Sequence, residues 1–165
     1  MLELKPLSPE AIPNALAKAE RYRLLNEPGQ AESICEDILQ VQPDNQPALV
    51  MLLLALTDQF TQGLTGVRAN EILQRLENEY EKQYYAGIIW ERKGRASLSG
   101  GSPGSGTNAY DCFQQAMTCY EKAEALRAPG NDDALLRWNT CARFLMRNPH
   151  LEPQPADRME VLLLE

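Results

Sequence analysis

Three large apolar residues recur at one interval. Tyr22, Leu56 and Trp90 are each 34 residues apart, and their companions Ala19, Leu53 and Gly87 keep the same step. A fixed period of this size means a chain assembled from copies of one small unit, each too thin to bury its own apolar face without a neighbour stacked beside it. The unit is clearest between Ala15 and Pro43. Ala15, Ala19 and Tyr22 fall on one face of a helix, a break follows at Asn26-Glu27-Pro28-Gly29, and Ala31, Cys35 and Ile38, with Leu39, form a second helical face. Gly29 is expected to let the chain turn back, and Pro43 to stop the second helix.

The pattern resembles that of tetratricopeptide-repeat proteins, whose repeat length is the same. In that family a small residue of the first helix stands three before a large aromatic one, a small residue opens the second helix, and proline closes the repeat. Ala19 and Tyr22, then Ala31, Cys35, Ile38 and Pro43, occupy those places in turn. The third copy has Gly87 and Trp90, with Gly94 at the family's glycine turn. The second departs, with bulky Leu53, Phe60 in place of the turn glycine, and Glu77 where proline is usual. The resemblance covers residues 10–148. It implies an all-α fold: an α-solenoid of antiparallel helical hairpins, with about three such repeats and a C-terminal capping helix.

Residues 1–10 read as an N-terminal lead-in and 11–148 as the repeat domain. Ser8 can cap a helix with Pro9 in its first position and Glu10 in its first turn, running to about Leu25; a start nearer Ile12 is the alternative. Its partner is Ala31–Val41. The next helix, Ala48–Phe60, is apolar almost all round, which requires neighbours on both sides. Gly63 and Gly66 punctuate the turn before Val67–Asn78, whose Ile72, Leu73 and Leu76 point inward. The third hairpin opens near Tyr80, and its first helix ends around Leu98. Residues 99–108, S-G-G-S-P-G-S-G-T-N, read as a flexible insertion in the hairpin turn, with Asn108 capping a long helix Ala109–Arg127. The insertion has no G-K-[ST] and no strand before it, which argues against a phosphate loop. Asp133–Arg147 follows the break at Pro129-Gly130-Asn131-Asp132, with Trp138, Ala142 and Leu145 repeating the large–small–large pattern. Residues 149–165 form a proline-rich tail in which Asp157–Leu164 can make a short helix.

Composition narrows the classes of function. Among 165 residues the net charge is −7, which disfavours nucleic acid or an anionic membrane as the main partner. The opening M-L-E-L-K-P-L has neither a basic leader nor a long apolar core, so no signal peptide is expected, and the cytoplasm is the expected location. The longest apolar run, Ala48–Leu56, is too short to span a bilayer. Cys35, Cys112, Cys119 and Cys141 form no C-x-x-C pair and His150 is the sole histidine, so buried free thiols are expected in place of a zinc site. Neither a cofactor site nor a catalytic set is expected, since one histidine leaves little room for a Ser-His-Asp or Cys-His arrangement. Glu36-Asp37 and Asp132-Asp133 suit a solvated face and a helix N-terminus.

What remains is surface. The family resemblance implies that the first helices of the hairpins line a concave groove for a peptide or partner helix. By position the groove would comprise Leu16, Glu20 and Arg23, then Val50, Leu54 and Asp58, then Tyr84, Ile88 and Arg92, and on the closing helix Asn139, Arg143 and Arg147. Chaperone-binding members use lysine and asparagine there to clamp a terminal carboxylate; Leu16 and Glu20 disfavour that ligand. Val50, Leu54, Tyr84 and Ile88 would make an apolar floor, and Asn139, Arg143 and Arg147 a stripe beside Trp138 able to receive a carboxylate or phosphate. The expected function is a non-catalytic protein–protein interaction module, an adaptor or assembly scaffold whose partner is another protein or a peptide. The alternative is a self-associating unit whose groove is filled by a second copy. An enzyme or small-ligand protein on the same helices ranks third.

Overall fold

A computed structural model describes residues 1–63 and 66–153 of the chain, and all regular structure among them is helical. The α-helices are α1 (Ile12–Leu24), α2 (Pro28–Val41), α3 (Gln46–Thr57), α4 (Gly66–Gln74), α5 (Glu79–Gly100), α6 (Ser105–Leu126) and α7 (Asp133–Arg147). Each helix packs on the next along the chain, and α3 also touches α1 and α5. Helices that are joined by short turns and in contact run antiparallel. The expected helix over Asp157–Leu164 lies outside the described residues.

Local chemistry accounts for most boundaries. Asn45 accepts from the Ala48 backbone N–H at 2.9 Å and starts α3, while Asn78 does the same for Glu81 at 3.0 Å and starts α5. Asn78 was expected to end the preceding helix; α4 instead stops at Gln74, and Leu76 is buried just beyond it. Ser8 precedes only a one-turn 3-10 helix, Pro9–Ala11, with α1 starting at Ile12 as in the second of the two expected starts. The reversal between α1 and α2 falls on Asn26, whose φ of 61° is left-handed, and not on Gly29, which lies inside the first turn of α2.

The glycine-rich stretch is the largest departure from the sequence reading. Of residues 99–108, only 101–104 lie outside helices, and Asn108 sits inside α6 and not at its cap. Serine and glycine usually mark a linker, but here Ser99 returns its hydroxyl to the Arg95 carbonyl at 3.2 Å. Ser97 donates to the Ser105 carbonyl at 3.3 Å and accepts from Asn108 at 2.9 Å, tying the two helix ends together. Gly101 (φ 59°) and Gly104 (φ 80°) supply the left-handed steps of the tight turn. The result is a long hairpin with a four-residue connection.

The core follows the period. Ala19, Leu53 and Gly87 are all buried, the first two with no exposed surface. Near the openings of α2, α4 and α6, Ala31, Ala69 and Ala109 are each fully buried, although their steps of 38 and 40 residues depart from the period. The fully apolar α3 is enclosed as expected, with Leu49, Leu52, Leu53 and Leu56 all buried. At Gly87 a Cβ would lie 2.4 Å from Cε1 of Tyr120, so glycine is what lets the Tyr120 ring lie against α5. Trp90, expected to pack between helices, is half-buried; it borders the buried α5–α7 cluster with Lys93 Nζ 4.7 Å over its ring. Leu151, beyond α7, is buried and comes against Gly106 of α6.

Candidate functional site

Three of the expected groove residues meet. Arg23 Nε on α1 donates to Asp58 Oδ2 at 2.6 Å, and Arg92 Nη1 on α5 donates to Asp58 Oδ1 at 2.7 Å. Asp58, at the C-terminal end of α3, thereby joins α1, α3 and α5. Its side chain is 16% exposed, so this is a partly screened surface tie.

Beside it lies a second carboxylate of a different kind. Glu91, one turn on from Gly87 in α5, is 2% exposed in its side chain. Tyr120 on α6 donates its hydroxyl to Glu91 Oε2 at 2.9 Å, while Arg95 Nη2 and Arg137 Nη1 approach Oε1 at 3.3 and 3.6 Å. Burial and the Glu91 charge both push the Tyr120 hydroxyl far up, which fixes it as a donor. For Arg137, burial opposes the charge, but Glu91, Tyr120 and Tyr84 together outweigh it and hold the guanidinium above its ordinary value. A buried carboxylate is tolerable only with such partners.

The third component is aromatic. A cleft of about 400 Å³ opens where α5 begins, α6 ends and α7 begins, lined by Tyr80, Tyr84 and Tyr85 with Glu81, Asp133 and Leu126. Tyr80 stacks on Tyr84 at 5.8 Å, Tyr84 meets Tyr85 edge-on at 5.1 Å, and Tyr84 leans on Tyr120 at 5.9 Å. Burial pushes the Tyr85 hydroxyl up to about 12, helped by Glu81 and opposed by Arg23. Tyr84 is raised by burial against the pull of the Arg137 charge.

Comparison with family models, curated proteins and solved structures finds no match to this chain. Its site is therefore read from its own geometry.

The other expected groove residues divide. Ile88 is a correction: expected on the open floor, it is 1% exposed, in the buried cluster that Ala134 and Cys141 of α7 complete. Val50 and Leu54 are half-buried against the two main clusters, and Leu16 is half-buried over Ile12 and Ile38, so the apolar floor is largely core margin. Tyr84 is half-buried on Tyr120 and not fully outward-facing. Glu20 is exposed. Asn139 lies in a small cleft with Trp138 and Glu121, and Trp138 Nε1 donates to Glu121 at 3.0 Å. Arg143 and Arg147 are exposed on the same side of α7, away from the Arg137 contact with α5.

Glu91 and Arg137 were missed by sequence reasoning, while Tyr120 is buried on the apolar side expected of its helix but was not expected in the site. A signal existed for the first: Glu91 stands four after Gly87 and three before Gly94, on the helix face that two glycines mark for close packing. Cys35 and Cys141 are buried, and their thiols are pushed up to about 12 by burial, aided by Glu36 and Glu91 respectively. They are inert as nucleophiles at neutral pH. Among the described residues no group of three or more His, Cys, Asp or Glu side chains is placed to hold a metal, and no helix is long and apolar enough to cross a membrane. A separate cleft of about 730 Å³ lies between α2 and α4, where Arg68 bridges Glu32 and Glu36 at its rim.

Proposed function

We propose that this chain is a tetratricopeptide-like solenoid acting as a non-catalytic interaction module, and that it holds a peptide or partner helix along the face of its first helices. The observation that carries this reading is the Arg23–Asp58–Arg92 tie, which links the equivalent faces of α1, α3 and α5 into one continuous surface. The tyrosine cleft lies beside that surface, since Tyr85 of α5 packs against the same buried cluster as Tyr22 of α1. Tyrosine and arginine are the residues that most often anchor protein interfaces, because they offer large contact area with a polar tip. The groove is Tyr80, Tyr84, Tyr85, Arg23, Asp58 and Arg92, with Glu20 at its open end; Ile88 is not part of it.

Peptide display against the folded protein tests this, with counter-selection against Glu20→Lys combined with Tyr80→Ser. Glu20 is exposed and its change should stay within about ±0.5 kcal/mol, while Tyr80, half-buried and stacked on Tyr84, should cost about 0.5–1.5 kcal/mol, so the variant should stay folded at assay temperature. Peptides that bind wild type and lose at least tenfold on the variant support the groove. Peptides that bind both equally would place the interaction surface elsewhere and sink the reading. Concentration-dependent mass by light scattering separates capture of a peptide from filling of the groove by a second copy.

A further inference from the structure

We infer that the tyrosine cleft at the α5–α6–α7 junction is a subsite for a cationic side chain, an arginine or lysine of the bound partner. This rests on the groove reading and names the chemistry of its one enclosed subsite. Three half-buried tyrosine rings line the cleft together with two carboxylates, Glu81 and Asp133, and no basic side chain is among its lining residues. Aromatic faces and carboxylates share one preferred ligand: a cation, drawn to the negative π-faces and to the formal charge at once.

The two carboxylates are built in alike. Each sits in the first turn of its helix, and an asparagine side chain accepts from its backbone N–H: Asn78 holds Glu81 at 3.0 Å and Asn131 holds Asp133 at 3.1 Å. Asn131 also accepts from the Tyr80 hydroxyl at 3.4 Å, joining one ring to this frame. Neither carboxylate has a cation partner among the described residues. The neighbouring candidates are engaged elsewhere, Lys82 with Glu79 and Arg127 with Glu124 and Asp132. The two cations that act on the Tyr85 and Tyr84 hydroxyls are also matched: Arg23 by Asp58, and Arg137 by Glu91. The negative charge of Glu81 and Asp133 is therefore left for a ligand. The volume, about 400 Å³, is near the small end for a ligand cleft and suits one long side chain better than an extended molecule.

An NMR titration of tyrosine ring signals tests the inference with three probes: Nα-acetyl-arginine amide, Nα-acetyl-lysine amide and the neutral isostere Nα-acetyl-citrulline amide. The cationic probes should shift the rings of Tyr80, Tyr84 and Tyr85 saturably, and citrulline should bind at least tenfold more weakly. Glu81→Gln combined with Asp133→Asn should weaken the arginine probe about tenfold. Tyr80→Leu, which keeps both carboxylates and much of the apolar contact, should weaken it severalfold, so a poorly folded double variant does not end the test. Equal response to arginine and citrulline, or full binding by Tyr80→Leu, would overturn the inference. Display peptides that need the groove but carry no basic residue would also overturn it and leave the groove reading standing. The absence of any groove-dependent peptide would instead overturn the groove reading itself.

Discussion

Asp58 and Glu91 perform the same arithmetic in different surroundings. Each is one carboxylate with two arginines, and each joins three helices: α1, α3 and α5 for Asp58, and α5, α6 and α7 for Glu91. What separates them is water. Asp58 is 16% exposed and needs only its two short ion pairs, whereas Glu91 is 2% exposed and also requires the Tyr120 hydroxyl. Near the surface an unmade contact is replaced by solvent; in the interior it is not. The Asp58 tie can therefore be loosened at modest cost, while the Glu91 cluster is a fixed joint.

The largest expected effect is at that joint. Glu91→Ala strands a buried hydroxyl and two arginines, and should cost about 3–5 kcal/mol, toward the lower end because both guanidiniums can reach water. Urea unfolding would measure it; a loss no greater than that of Asp58→Ala would erase the distinction drawn above. Next comes Gly87→Ala, which drives a methyl into the Tyr120 ring and should cost about 1–3 kcal/mol by overpacking. If it is silent, the ring has room to move and the Glu91 contact is looser than its 2.9 Å suggests. Asp58→Asn should cost about 1 kcal/mol, with an effect that shrinks at high salt as exposed ion pairs do. A salt-independent loss would mean Asp58 is functionally interior.

A further effect, confined to alkaline pH, belongs to a single hydroxyl. The Tyr85 hydroxyl is pushed up to about 12 by burial, above the value of about 10 that an unfolded tyrosine has. Stability from this group is intact below pH about 10 and is lost as pH rises toward the folded value, because the unfolded chain gives up its proton first. The melting temperature should fall across that window, and less steeply in Tyr85→Phe. An unchanged slope in that variant would show that Tyr85 does not contribute.

Much of the helix inventory was legible because the punctuation is strong. The segment Asp133–Arg147 emerged with both ends as expected, since Pro129-Gly130-Asn131-Asp132 and Pro149 bracket it. The 34-residue step located Ala19, Leu53 and Gly87 in the core because only small or fully apolar side chains fit where helices touch. The α5–α6 turn was obscured for a physical reason: Ser97, Ser99 and Asn108 satisfy helix ends by side-chain hydrogen bonds, which composition cannot distinguish from a linker. Within the candidate site, Arg92 lies one 34-residue step after Asp58 and Arg23 one residue off that step before it, but equivalence failed at Ile88. Leu54 and Ile88 are one repeat apart, yet the buried cluster completed by α7 encloses only Ile88 fully. A period describes what each copy offers and not what the last copy is covered by.

The short α5–α6 connection has a consequence for the order in which the chain folds. Two helices of 22 residues joined by four can find each other by local search, and closing so small a loop costs little entropy. The α1–α2 pair is made of shorter helices, 13 and 14 residues, and is held to the remainder mainly through α3. The hypothesis that follows is a nucleus in the C-terminal hairpin with growth toward the N-terminus, and unfolding in the reverse sense. Native-state hydrogen exchange would then report α1 opening at lower free energy than α5 and α6. One end of the proposed groove would accordingly be adjustable while the end bearing the tyrosines stays set.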